Sequence, residues 1–354
     1  MKEREEKILA YSPNWVGDAV MCLPALKALR RFYPESRILV LAVPWVKEIY
    51  ELSGIPDHVL CYDRTHSHSG LRGTMEIARD IRKLGTSAAF IFPNSWRSAL
   101  VPLIAGIPVR VGFSTRHRKY PLLTHFCRPE KNFKSRHQVF YYLNVVEILH
   151  PDLEKYQEKF LETPFLDIGK DYEEKCLRVA RRFGLDPGRP WFAIAPGAQY
   201  GEAKLWWPEN FAQVAEMVAA ECESEIVILG SSSDTKIAKK VISGMKLSAF
   251  DLTGRTSLTE AMILLQRCRV FLTNDSGLMH IGAAFGVPLV AIFGSTDPVH
   301  TGPYGKKERT IVLRSTVECS PCFKRVCPLG NKRCMSEINT KDVFESVMSL
   351  WKNL

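Results

Sequence analysis

Between residues 7 and 294, short apolar runs of strand length alternate with stretches whose apolar residues recur every three or four positions. That alternation is the signature of parallel sheets covered by helices. Residues 7–12 read as a strand, and Val16, Val20, Leu23, Leu26, Leu29 and Tyr33 follow at helical spacing. Further strands are expected at 37–43, 57–63, 88–93 and 109–113, with a helix at 70–84. From 132 to 169 the rhythm lapses into a charged segment containing Pro151 and Pro164, read as helix plus linker. The pattern then restarts with a helix at 171–183. Strands at 191–196, 225–231, 250–254, 270–274 and 288–294 are separated by helices at 208–222, 234–245, 258–268 and 277–285. A last helix, capped by Asn339 or Thr340, carries Val343, Phe344, Val347, Leu350 and Trp351 on one face. A chain of 354 residues exceeds what one core usually serves. The expected organisation is therefore α/β, with Rossmann-like domains at 1–169 and 170–338 facing a central cleft, and a helix at 339–354 packing back across them.

Composition narrows the class. With 46% hydrophobic and 24% charged residues, the chain is neither disordered nor fibrous. Its charged start runs directly into the first strand, without the apolar stretch of a secretory signal, so a cytoplasmic location is expected. The longest apolar run, 99–109, holds two prolines and a glycine and is too short to span a bilayer, although it could touch one. The formal charge is +10, concentrated between 97 and 136, where nine Lys or Arg stand against Glu130 alone, with His117, His125 and His137 nearby. Such a run is either a site for an anionic partner or an ordinary solvated face.

Three loops carry the chemistry. In the first, Asn14-Trp-Val-Gly-Asp18, Asp18 either takes a proton from an attacking hydroxyl or is a routine first-turn acid held by the helix dipole. The second, 195–211, is glycine-bearing, and its Lys204 could meet a diphosphate as a point charge. It lacks the spacing of an NTPase phosphate loop, which disfavours ATP hydrolysis. In the third, Thr273-Asn-Asp-Ser-Gly-Leu-Met-His280, the N–H groups of Ser276 and Gly277 at a helix start can hold a phosphate oxygen. Asp275 either caps that helix or accepts a ribose hydroxyl. The plainer alternative is a tight turn with a packed His280.

These loops, together with Pro93-Asn-Ser95, Ser98-Ala-Leu-Val-Pro102, Pro196-Gly-Ala198, Lys204-x-Trp206 and Phe293-Gly-Ser-Thr-Asp-Pro298, resemble the ADP-heptose:lipopolysaccharide heptosyltransferases over nearly the whole chain. The Trp-Val-Gly-Asp and Pro-Asn-Ser pieces are closer to the type II enzymes, which add the second heptose. A type I or later-acting enzyme is the alternative. The resemblance implies a GT-B fold, with a lipid acceptor on the first domain and ADP-heptose on the second, and inversion at the anomeric carbon with no cofactor required. It further implies Asp18 as general base, Lys204 at the phosphates, and nucleotide-sugar contacts from Gly197, Gln199, Tyr200, Asp275, Ser276, Gly277 and His280. Asp234 and Thr256 would approach the adenosine. Asn14, Asn94, Ser95, Arg97, Arg116 and Arg136 are acceptor-side candidates. The implied setting is a monomer peripheral to the inner face of the inner membrane, acting on the lipopolysaccharide inner core. One departure is local: the family reads Lys-x-Trp-Pro, whereas Trp207 here precedes Pro208.

Of ten cysteines, six are scattered and read as small core residues, among them Cys22, Cys61 and Cys268. The other four, Cys319, Cys322, Cys327 and Cys334, are spaced C-x2-C-x4-C-x6-C. They suit a structural zinc or an iron–sulfur cluster, or are four reduced thiols. A basic nucleic-acid-binding protein is the reading from another class, but no such motif is present. A dehydrogenase lacks its glycine fingerprint.

Overall fold

A computed structural model describes residues 6–116, 118–129, 133–161 and 165–353; His117, Glu130 and Pro164 of the sequence reading lie outside them. The chain divides into two compact units, Met1–Asp167 and Ile168–Leu354.

Each unit is built on a six-stranded, wholly parallel sheet. In the first, the strands are β1 Lys7–Tyr11, β2 Arg37–Ala42, β3 His58–Cys61, β4 Ala88–Ile91, β5 Val109–Phe113 and β6 His125–Cys127, in the order β3-β2-β1-β4-β5-β6. In the second they are β7 Trp191–Ala195, β8 Glu225–Ile228, β9 Phe250–Asp251, β10 Val270–Asn274, β11 Leu289–Phe293 and β12 Thr310–Arg314, in the order β12-β11-β10-β7-β8-β9. Counted from the start of each unit, both follow the doubly wound order 3-2-1-4-5-6, whose direction of winding reverses between the first and fourth strands. The central strands are apolar at nearly every position because helices cover both faces of a parallel sheet. Leu9 registers with Leu39 and Ala89, and Leu272 with Ile194 and Val290.

That winding fixes where a ligand can bind. At the point where the order reverses, the loops leaving two neighbouring strands part to opposite faces and open a crevice at the carboxyl edge. In the first unit those loops follow β1 and β4 and carry Asp18 and Asn94–Ser95. In the second they follow β7 and β10 and carry Gly197–Lys204 and Asp275–Gly277.

The closing helix, Thr340–Lys352, is capped by Asn339, whose side chain accepts the N–H of Asp342 at 2.8 Å. It buries Val343, Val347 and Leu350 in the core of the second unit, against the Pro208–Cys222 helix and β10 and β11.

Besides short turns, two helices and two strands of the described residues escaped the sequence reading. The helices Pro44–Ser53 and Trp96–Ile104 begin directly after a strand and a turn, and the second contains Pro102. Strands β6 and β12 lie at sheet edges and lack a buried run: β6 is exposed throughout, and no residue of β12 is fully buried. Edge position also corrects the cysteines. Cys22, Cys176 and Cys268 are core residues, but Cys61 and Cys127 end the edge strands β3 and β6 and are exposed.

Candidate functional site

In the first unit, the turn after β1 starts the helix Val16–Met21, with Asp18 half-buried in its first turn. The carboxylate sits over a polar floor that the sequence did not reveal. The Tyr142 hydroxyl hydrogen-bonds Asp18; burial, then the Asp18 charge, push that phenol well up. Tyr50 is pushed up likewise, by burial first and then by Cys22 and Asp18, and its hydroxyl accepts from Ser12 Oγ at 2.8 Å. Both phenols therefore remain protonated, and Tyr142 donates to the Asp18 carboxylate. Trp45 Nε1 donates to the Asn14 carbonyl at 2.6 Å, which ties the β1 loop to the start of the Pro44–Ser53 helix.

After β4, Ser95 caps the Trp96–Ile104 helix by accepting the Ser98 N–H at 3.2 Å. Asn94 donates to the Tyr141 hydroxyl and accepts from Arg118 Nη1 at 3.4 Å. The basic run is thus of two kinds. Arg110 and Arg118 are buried and spend their guanidiniums on backbone carbonyls, those of Leu122 and Pro121 for Arg110 and of Ile91 and Phe113 for Arg118. Burial holds Arg118 down to about 10. Arg97 and Arg116 remain exposed, Arg97 over the Trp96 ring at 5.5 Å, and Arg136 stands over Phe140 at 4.5 Å.

In the second unit, the structure joins the sequence motifs at one ion pair. Lys204 Nζ meets Asp275 Oδ2 at 2.5 Å, with side chains only 11% and 5% exposed. Thr296 Oγ1 adds a hydrogen bond of 2.6 Å to the same carboxylate oxygen. Asn274 stitches the two loops, donating to the Pro196 carbonyl at 2.7 Å and accepting the Trp206 N–H at 3.1 Å. Asp275 therefore does not cap the helix Gly277–Phe285; Ser276 does, through the Met279 N–H at 3.3 Å. The helix begins two residues after Asp275, and the N–H groups of its first turn ahead of Met279 have no carbonyl four residues back within the helix. His280 is buried one turn further on.

The remaining candidates ring this pair along the carboxyl edge. Gly197 has no room for a side chain, since a Cβ there would lie 2.2 Å from Asp234 Oδ1. Asp234 is fixed by accepting the N–H and hydroxyl of Ser231 at 2.8 and 2.7 Å. Gln199 donates to Ser231 and Ser233 hydroxyls at 2.9 and 2.6 Å. Tyr200 lies under Lys204, whose Nζ is 4.9 Å from the ring centre. Thr256 is half-buried in the turn after β9. Trp206 is fully buried against Phe211, so the displaced proline of the Lys-x-Trp motif leaves the tryptophan seated in the core.

Among the described residues, no group of three or more His, Cys, Asp or Glu is placed to hold a metal ion, so the zinc or iron–sulfur reading of the four C-terminal cysteines gains no support. The four thiols nevertheless lie near one another, since Cys319, Cys322 and Cys327 add to burial in raising the Cys334 thiol. Cys319 is exposed, whereas Cys334 is buried beside Gly294 in the core of the unit. Cys327 accepts backbone N–H groups, chiefly from Lys332, which lower its thiol.

Residues 75–333 match the model of glycosyltransferase family 9 (heptosyltransferase). The chain is 33% identical over 322 residues to lipopolysaccharide heptosyltransferase 2 of Escherichia coli strain K12, covering 87% of this chain and 88% of that protein. It is 31% identical to the Salmonella typhimurium protein of the same name, over 97% and 98% of the two chains. Among solved structures it superposes on E. coli ADP-heptose lps heptosyltransferase II with a TM-score of 0.82 and 27% identity, covering 98% of this chain and 99% of that one. Two doubly wound units of GT-B type, one presenting a half-buried carboxylate and the other a lysine over a helix start, match over nearly their whole length, and the chain belongs to glycosyltransferase family 9, the heptosyltransferases.

Proposed function

We propose that this enzyme moves heptose from ADP-L-glycero-D-manno-heptose to the first heptose of the lipopolysaccharide inner core, heptosyl-Kdo2-lipid A, with inversion. The observation that carries this reading is the pairing of Lys204 with Asp275 beside the start of the Gly277–Phe285 helix. It sets a lysine and unpaired backbone N–H groups where a departing diphosphate needs them.

In the proposed reaction, Asp18 takes the proton of the acceptor hydroxyl as its oxygen attacks the anomeric carbon. The bond from that carbon to the diphosphate oxygen breaks on the opposite face, and ADP leaves with the electron pair. Tyr142 holds the Asp18 carboxylate in place by donating to it. Lys204 and the N–H groups of Gly277 and Leu278 meet the charge growing on the leaving diphosphate. Gly197, Gln199 and Asp234 line the approach of the nucleotide, while Arg97, Arg116 and Arg136 offer cations to the carboxylates and phosphates of the acceptor. No cofactor enters the scheme. Among the described residues no helix is long and apolar enough to cross a membrane, and the proposed setting is a monomer working at the inner membrane's cytoplasmic face.

Two assays test the reading. Asp18→Asn should nearly abolish transfer while leaving ADP-heptose binding almost intact, and full activity in that variant would remove the base assignment. Transfer measured with defined truncated acceptors should require the first heptose. Transfer confined to an acceptor lacking it would replace the type II reaction with type I.

A further inference from the structure

The Lys204–Asp275 pair poses an electrostatic problem. A diphosphate ester brings at least two negative charges, yet the lysine that would meet it is already neutralised by a carboxylate at 2.5 Å. A buried pair of that kind presents a dipole to the ligand rather than a net charge, so tight binding of a diphosphate calls for a second cation.

The cysteine-rich segment supplies one. Its backbone is bolted to the turn that carries Lys204: the Arg325 carbonyl accepts the Ala203 N–H at 3.0 Å, and the Phe323 carbonyl accepts the Tyr200 hydroxyl at 3.0 Å. Gly201 lets the two strands of chain touch, since a Cβ there would fall 2.4 Å from the Arg325 carbonyl oxygen. From the other side, the Phe323 N–H donates to the Ser295 carbonyl at 2.7 Å, next to Thr296 of the ion pair. Further on, Lys332 Nζ donates to the Leu205 carbonyl at 3.1 Å. The Arg325 guanidinium then stands 5.2 Å from the centre of the Tyr200 ring, the same ring that Lys204 approaches to 4.9 Å. Arg325 is exposed and, among the described residues, makes no ion pair.

We infer that Arg325 is the second cation of the donor site, binding the diphosphate of the nucleotide sugar alongside Lys204, and that the cysteine-rich segment exists to hold it there. A guanidinium suits the task because its planar fork can bond two phosphate oxygens at once, and because its charge, unlike that of Lys204, is not already compensated. This inference rests on the donor-site reading given above and deepens it.

The test compares ADP, AMP and adenosine binding to full-length wild type, Arg325→Ala, Arg325→Lys and Lys204→Met/Asp275→Asn by calorimetry, with KM values for donor and acceptor. Arg325→Ala should weaken ADP about tenfold or more, the scale of one charge-assisted contact. It should weaken AMP less, leave adenosine and the acceptor KM unchanged, and be partly rescued by Arg325→Lys. Unchanged ADP affinity in Arg325→Ala, with ADP weakened in the Lys204/Asp275 double variant, would overturn the inference alone. ADP affinity unchanged in both Arg325→Ala and the double variant would overturn the donor-site reading itself. A loss in Arg325→Ala that strikes adenosine as hard as ADP would make the residue a brace for the loop, and would also overturn the inference.

Discussion

Replacing Lys204 by alanine should cost stability before it costs chemistry. The substitution leaves the Asp275 carboxylate, 5% exposed, without its cation and with only the Thr296 hydroxyl as side-chain partner. Breaking a buried pair from one side costs roughly 3–5 kcal/mol, because the remaining charge stays desolvated. The retained Thr296 bond and the slight exposure of the site favour the lower end, about 3 kcal/mol. For a domain of this size, each kcal/mol moves Tm by about 2–4 °C, so calorimetry should register a fall of roughly 6–12 °C in Lys204→Ala. Removing both charges, as in Lys204→Met/Asp275→Asn, should recover most of that loss, since a neutral pair of similar volume is often no less stable than a buried ion pair. Transfer activity should stay near zero in both variants, which separates the structural cost from the catalytic one. A Lys204→Ala protein melting within about 1 °C of wild type, or a double variant as unstable as the single, would refute this account of the pair.

Other outcomes follow from the same geometry. Tyr142→Phe removes the donor to Asp18, and a carboxylate that loses a hydrogen bond to its charged form gains affinity for protons; the acidic limb of the kcat/KM profile should move to higher pH, and an unmoved limb would separate Tyr142 from the base. Gly201→Ala places a Cβ 2.4 Å from the Arg325 carbonyl oxygen, so either the turn or the segment must shift; a loss of about 1–3 kcal/mol in thermal unfolding is expected, with a raised donor KM, and wild-type values for both would show that the contact is not tight. His150 is stacked on Phe32 at 4.1 Å and bonded to the Tyr33 hydroxyl at 3.0 Å, and burial lowers its pKa. In the unfolded chain it takes its proton near pH 6.5. As pH falls below that value the unfolded state binds the proton first, so stability should decline from about pH 7 downward until the folded pKa is reached. His150→Phe should flatten that part of the stability profile measured by denaturant unfolding.

Local pattern was enough to read five of the six strands of each sheet, most of the longer helices and the three motif loops, because strand and helix periodicities are written in consecutive residues and a doubly wound sheet places its ligands at known strand ends. Lys204 and Asp275 were each legible as site candidates. That they neutralise one another was not, since they are far apart in sequence and the contact exists only once β7 and β10 lie side by side. The same holds for Tyr142, brought to Asp18 from a region whose rhythm gave no signal, and for Arg110 and Arg118, which composition counted as surface charge but which the fold buries against carbonyls. The cysteines show the limit most directly. Their spacing suited a metal or four reduced thiols alike, and only tertiary packing decides their setting: Cys334 is buried and Cys319 exposed, the other three thiols raise that of Cys334, and the segment between them lies along the loop that carries Lys204.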